Sequence, residues 1–290
     1  MSYVRHVPTV ISIDGAIVAP EQATISVLDR GLLYGDGCFE VLRTWSGVAV
    51  DLAAHLDRLC TTIAAMRLRA PERRELARAV DRTIAAAGQG EKRVRIVITR
   101  GPGGLGAETA ALGPGRAIVI VEPLGEQPQE ISAAIVDWPL PRRVGHAHKT
   151  LAYLDHVIAR DLARAAGADE GIRLDADGHA VEGATSNLFA VIGGAVVTAP
   201  LESGVLPGVV RTRVLTACGR ERIAVREEAV TVAALRGADE IFVSSSLRGV
   251  VAVTCLDGAN RPVGPITSRV AECVATEMHA LGAAAATARV

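Results

Sequence analysis

Apolar and polar positions alternate along much of the first third of the chain, and the alternation stops at turn residues. Val10-Ile11-Ser12-Ile13, then Asp14-Gly15, then Ala16-Ile17-Val18 predicts a hairpin, because Asp-Gly supplies the positive φ that a tight turn needs. Residues 39–45, Ser46-Gly47 and residues 48–50 repeat the pattern. The period then lengthens. Leu52, Leu56, Leu59, Ile63 and Met66 recur at helical spacing, and 72–87 is rich in helix formers, so two helices follow. Strands resume at 94–99 and 117–121, on either side of the loop Arg100-Gly-Pro-Gly-Gly-Leu-Gly106.

In the second half a strand at 131–136 leads through Pro139-Leu-Pro141 and His146-Ala-His-Lys149 to a helix over 153–166. Leu154, Val157, Ile158 and Leu162 form its apolar face, and Gly167 stops it. Short strands follow at 171–174, 180–182, 188–192, 195–198, 241–244 and 250–256. A helix opens near Pro207-Gly208 and runs to Cys218, and a last one covers 268–281, with the alanine-rich tail from Gly282 fraying. Segment 122–130, with two prolines, one glycine and three acids, is the expected linker between a smaller N-terminal domain (1–121) and a larger C-terminal one (131–290). Strands and helices without strict βαβ alternation give an α/β (α+β) fold class.

Composition narrows the function. The 290 residues carry 31 Lys plus Arg against 32 Asp plus Glu, a net charge of −1 that lacks the basic excess of a nucleic-acid binder. A hydrophobic fraction of 49% excludes wholesale disorder. The five cysteines form no C-x-x-C pair, which argues against a structural zinc site or disulfide framework and for a reducing compartment. The expectation is a soluble cytoplasmic protein with no nucleic-acid or membrane partner and no metal.

Several side chains suggest chemistry. Lys149 reads either as a surface lysine or as a Schiff-base lysine, whose pKa must fall from about 10.4 towards roughly 7–8 to act as nucleophile or base. Glu182, where a strand meets the Gly183 turn, reads as a turn carboxylate or as the partner of a cofactor ring nitrogen. Arg58 sits on an amphipathic helix. Together with the helix start at Gly208, Val209 and Val210 and the hydroxyls of Ser244-Ser-Ser246, it would make a phosphate cradle. Arg93 and Arg95 share one face of a strand and Val94, Ile96 and Ile98 the other. That strand also delivers Arg100 into the glycine loop, which lacks the G-K-[ST] ending of a P-loop.

In order along the chain stand Asp29-Arg-Gly31 with Tyr34-Gly-Asp-Gly-Cys-Phe-Glu40, His55-Leu-Asp-Arg58, Lys149, Glu182-Gly-Ala-Thr-Ser-Asn-Leu-Phe189 and Leu206-Pro-Gly208. On these motifs, between about Ile13 and Leu256, the chain resembles the class IV aminotransferases, the fold-type IV pyridoxal-phosphate enzymes. The resemblance implies a smaller N-terminal α/β domain, a larger C-terminal pseudo-barrel domain that binds the cofactor, and a homodimer with sites near its interface. It implies Lys149 as the Schiff-base lysine, Glu182 on the pyridine nitrogen, Arg58 on the phosphate and Tyr153 on the phenolic oxygen. Ser186, Asn187, Leu206, Gly208, Val209, Val210, Ser245 and Ser246 complete the implied cofactor set. Tyr34, Phe39, Arg95, Arg100, Leu247 and Arg248 line the implied substrate side, with Tyr34 serving the neighbouring subunit's pocket.

The reaction implied is transfer of an amino group between an amino acid, or an amine, and a 2-keto acid. The turn Ser246-Leu-Arg-Gly249 and the glycine loop are similar instead to aminodeoxychorismate lyases, whose product pair is pyruvate and 4-aminobenzoate. A cluster of Arg95, Arg100 and Arg248 would suit that dicarboxylate substrate. Transamination is favoured because it is the larger part of the family and the Arg-Gly turn is a single short motif. A non-catalytic protein binding pyridoxal phosphate or a nucleotide is the third reading, opposed by the intact Lys149, Glu182 and Arg58 set.

Overall fold

The computed structural model describes residues 8–106, 115–138 and 148–287, with side chains to 284. Pro139-Leu-Pro141, His146 and the N-terminal segment 1–7 lie outside the described residues. Two compact units divide the chain. Of the described residues, 8–126, 148–152 and 278–287 belong to the first, and 127–138 and 153–277 to the second. The division after Glu126 falls inside the 122–130 segment, and two short later stretches return to the first unit.

The first unit contains β1 (Val10–Ile13), β2 (Ala16–Val18), α1 (Arg30–Tyr34), β3 (Gly37–Trp45), β4 (Val48–Ala49), α2 (Leu52–Ala65), α3 (Arg73–Ala86), β5 (Lys92–Thr99) and β6 (Ala117–Pro123). Its strands form a six-stranded antiparallel sheet in the order β2-β1-β6-β5-β3-β4. The first hairpin turns through Asp14 (φ 50°) and Gly15 (φ 82°), and the second through Ser46 (φ 51°) and Gly47 (φ 74°), as the turn chemistry predicts. Val94, Ile96 and Ile98 of β5 and Cys38 and Leu42 of β3 point to the side covered by Leu56 and Leu59 of α2 and Leu76 and Val80 of α3. Phe39 and Arg95, one residue out of phase, lie on the opposite face.

The second unit contains β7 (Glu130–Ile135), α4 (Leu154–Ala165), β8 (Glu170–Leu174), β9 (His179–Gly183), β10 (Asn187–Ile192), β11 (Ala195–Thr198), α5 (Val209–Arg220), β12 (Val225–Glu227), β13 (Val230–Thr231), α6 (Val232–Arg236), β14 (Glu240–Ser245), β15 (Gly249–Leu256) and β16 (Ala259–Asn260). Strands β10-β14-β15-β7-β8-β9 follow one another, and β9 returns to pair with β10 through Glu182 and Asn187, closing a barrel. Closure removes free edges from those strands, and Ile172, Leu188, Val243, Val251 and Val253 belong to its buried core. The ends of the Glu182-Gly-Ala-Thr-Ser-Asn187 motif are therefore the pair that shuts the barrel. The last helix, α7 (Pro265–Thr287), starts in the second unit and ends in the first.

Two expectations are corrected. On α4 the buried residues are Ala159 and Ala163, while Leu154, Val157 and Leu162 are exposed. The cause is close approach: a Cβ on Gly171 of β8 would stand 2.6 Å from the Ala159 carbonyl oxygen, so only alanines fit between helix and sheet. The tail from Gly282 stays helical to Thr287. Alanine is the best helix former, and buried Gly282 lies so near Trp45 that a Cβ there would be 2.7 Å from its carbonyl oxygen.

Candidate active site

In the first unit Lys149 is fixed by its own backbone. Its carbonyl accepts from Phe39 N–H at 2.9 Å, and the neighbouring Thr150 bridges to Cys38 of β3. The Lys149 Nζ lies 4.6 Å from the centre of the Phe39 ring, and the Arg95 guanidinium lies 4.1 Å from the same centre. Three of the residues singled out from sequence, far apart along the chain, thus meet at one aromatic ring.

Arg58 is held from behind. Glu40, fully buried on the helix side of β3, accepts Arg58 Nε and Nη2, each at 2.7 Å, and His55 Nδ1, also at 2.7 Å. Burial pushes the Glu40 carboxyl up, but the hydrogen bonds from Arg58 and His55 outweigh it and bring the pKa down to about 2. Cys38, the residue two before Glu40, has its thiol pushed up to about 12 by burial, which leaves it inert as a nucleophile.

Arg100 has a structural task that the sequence reading did not foresee. Its Nε donates to Asp36 at 2.7 Å, Nη1 to the Arg67 carbonyl at 3.2 Å and Nη2 to the Met66 carbonyl at 2.8 Å. Arg30 joins it on Asp36, and the two guanidiniums overcome burial to hold that carboxyl below its usual range. Arg100 is thus a clasp on the start of the glycine loop. Tyr34, at the end of α1, is half exposed, and its hydroxyl donates to the Leu105 carbonyl at 2.5 Å.

In the second unit Glu182, nearly buried, accepts the Leu206 N–H at 3.1 Å, and Asn187 donates to the Leu206 carbonyl at 2.8 Å. Gly208 caps α5 with no side-chain cap, so the amides of Val209 and Val210 open the helix as an anion-binding end. Ser244 pairs across the sheet with Asn187, and its buried hydroxyl has no hydrogen-bond partner among the described residues. Ser246, Leu247 and Arg248 form the turn between β14 and β15. Tyr153 precedes α4 with its ring stacked on His156 at 4.3 Å.

Glycine at 208 is required by the closeness of Asn187: an added Cβ would fall 2.0 Å from Asn187 Oδ1. Gly208→Ala is expected to displace the Asn187 amide and lower stability by about 1–3 kcal/mol, read as a lower urea midpoint with unchanged slope.

Arg248 has a structural partner as well. Its Nη2 donates to Glu170 at 2.6 Å, and the same buried carboxylate receives Thr185 and Ser186. Arg248 and Ser186 therefore fasten the turn between β9 and β10 to β8. Sequence reasoning passed over Glu170 and also Arg173, a fully buried arginine whose Nη1 is 4.0 Å from Glu182. A lone charge inside the otherwise apolar Gly171-Ile-Arg-Leu174 is the available signal.

Residues 37–256 match the family described as amino-transferase class IV. The protein named "Putative branched-chain-amino-acid aminotransferase" of Methanocaldococcus jannaschii is 34% identical over 271 residues, 90% of this chain and 94% of that protein. A D-alanine aminotransferase of Bacillus licheniformis is 28% identical over 269 residues, 89% and 93% of the two chains. The crystal structure of a branched-chain aminotransferase from the thermophilic archaeon Thermoproteus uzoniensis with norvaline superposes with a TM-score of 0.88 at 30% identity, covering 94% of this chain and 95% of that one. No helix among the described residues is long and apolar enough to cross a membrane.

Proposed function

Because the chain belongs to the class IV aminotransferases and shares their fold-type IV architecture, we propose that it works with pyridoxal 5'-phosphate and that Lys149 carries its chemistry. The observation inside this chain that supports the reading is the meeting of Lys149 and Arg95 at the Phe39 ring, an amine, a cation and an apolar wall together.

The donor set fits the cofactor. Glu182 offers a carboxylate to the ring nitrogen. The uncapped start of α5 and the unpartnered Ser244 hydroxyl offer N–H and O–H donors to a phosphate. Arg58, oriented by Glu40 through Nε and Nη2, would add a cation to the phosphate side. Tyr153, Ser186, Asn187, Leu206, Ser245 and Ser246 complete the proposed cofactor side. The cofactor supplies an electron sink for the pair left when the substrate Cα loses its proton. Lys149 holds the cofactor through its amine and, once released, moves that proton from Cα. Arg95 binds the substrate carboxylate, and Phe39 and Leu247 contact its side chain.

The proposed donor is an aliphatic amino acid, the class to which branched-chain amino acids, D-alanine and norvaline, named for the compared proteins, all belong. The lyase reading called for three arginines on a dicarboxylate, and two of them, Arg100 and Arg248, bind Asp36 and Glu170 instead. A homodimer is proposed as well, on the exposed Val27, Leu32 and Leu105 of the first unit, with Tyr34 facing the neighbouring subunit's pocket.

The test is a spectral cycle. Adding an aliphatic amino acid to the cofactor-loaded protein should convert the bound cofactor to its amine form and release a keto acid, and a 2-keto acid should reverse it. Formation of pyruvate and 4-aminobenzoate from aminodeoxychorismate without any acceptor would overturn the reading in favour of the lyase.

A further inference from the structure

Arg173 and Glu182 are register partners on β8 and β9, and their side chains meet at 4.0 Å. Both are almost fully buried, with Arg173 at 0% and Glu182 at 5% exposure. Removing a cation from water is costly unless something inside the protein uses its charge. The surroundings fix the pair from several sides. His156 of α4 approaches Arg173 Nη1 with its Nδ1 at 3.3 Å, and that nitrogen lies 2.8 Å from the Ala184 carbonyl oxygen. A carbonyl only accepts, so the shorter contact makes Nδ1 a donor to Ala184, and the imidazole does not accept from Arg173 through that nitrogen. On its other side the carboxylate accepts the Leu206 N–H.

We propose that Arg173 is a positioning residue that keeps the proton shared by Glu182 and the cofactor's ring nitrogen on that nitrogen. The inference rests on the reading that Glu182 faces the ring nitrogen. One proton has two places to sit, a Glu182 oxygen or the nitrogen. With the proton on oxygen both groups are neutral; with the proton on nitrogen they are a carboxylate and a pyridinium. Arg173 lies 4.0 Å from the carboxyl and farther from a nitrogen beyond it, so its field favours moving the positive charge outward, from oxygen to nitrogen. The step transfers one proton along a hydrogen bond and needs no further reactant. Leu206 N–H acts in the same direction, since it donates to the charged form of Glu182.

The experiment uses the whole protein loaded with pyridoxal phosphate labelled with 15N in the ring, whose resonance separates protonated from unprotonated nitrogen. In the wild type the signal should stand at the protonated position across the neutral pH range. Arg173→Met and Arg173→Gln should each move it towards the unprotonated position, with the proton partition changed about tenfold, whereas Arg173→Lys should restore it. Circular dichroism and urea midpoints identify the variants that fold, and a merely structural arginine would lower those midpoints without moving the resonance. A folded Met or Gln variant with the wild-type resonance overturns the proposal, and so does a wild-type signal at the unprotonated position. Glu182→Gln separates the two levels. If it leaves the resonance unmoved, the placement of Glu182 at the ring nitrogen fails. If it moves the resonance and the Arg173 variants do not, only the role of Arg173 fails.

Discussion

Lys149→Ala is expected to lower kcat/KM by on the order of 10⁴-fold or more, the scale of removing a positioned proton-transfer group together with a covalent anchor. The same variant should lose the visible absorbance that pyridoxal phosphate gains on attachment to a protein amine. The fold should survive, because the contacts that seat this residue are made by backbone. Its carbonyl accepts from Phe39 N–H, and Leu151 N–H donates to the Gly37 carbonyl of β3 beside it. The contact between Nζ and the Phe39 ring that the variant loses is worth about 0.5–2 kcal/mol. Added small primary amines should recover part of the rate if the missing group is a base at the substrate Cα. A variant that kept both the absorbance and the turnover would remove Lys149 from the chemistry altogether. Phe39→Ala separates the wall from the amine: absorbance should persist while KM for aliphatic donors rises.

How much of this was legible in the sequence depended on whether a residue's role is local. Asp14-Gly15 and Ser46-Gly47 encode their turns in their own φ angles, and Gly208 marks the start of α5, so all three were readable one residue at a time. Alternation on β5 also placed Arg95 on the face away from the helices, where it meets Phe39. Partner choice was not readable. Arg100 and Arg248 carry the charge that a substrate carboxylate needs, and nothing in their neighbours along the chain announces Asp36, 64 residues away, or Glu170, 78 residues away. Depth misled on α4 for a related reason. Leucines usually mark the buried stripe of a helix, but Gly171 brings β8 so near that the alanines take that side. Residue type was therefore legible from sequence, and the partners of charged residues such as Arg100 and Arg248 emerged only with the fold.

The second large effect is expected at Glu40, and its sign follows from the pKa. The carboxyl stands at about 2 in the folded protein against an ordinary 4.5. A group with a depressed folded pKa stabilises fully above its unfolded pKa, and that contribution is lost as pH falls through the folded one. Here it is complete above about pH 5 and fades between about pH 5 and 2, with a magnitude on the order of 3 kcal/mol. Glu40→Gln removes the charge and leaves Arg58 and His55 facing a neutral amide in a buried site. Stripping one partner from a buried ion cluster costs about 3–5 kcal/mol, so the variant should be that much less stable at neutral pH. Below the ordinary carboxyl pKa the unfolded chain takes up a proton that the folded carboxylate refuses until about pH 2, so the wild type loses this stabilisation and the two proteins should converge as the pH approaches about 2. Urea titrations across that range test this directly. Parallel stability curves, with a constant gap at every pH, would show that the cost of the substitution is packing and not charge. Because Glu40 also holds two nitrogens of Arg58, the variant should release pyridoxal phosphate more readily at neutral pH even where it remains folded. Glu40→Asp should recover less than half of that affinity, since a side chain one methylene shorter cannot keep both 2.7 Å bonds to the guanidinium.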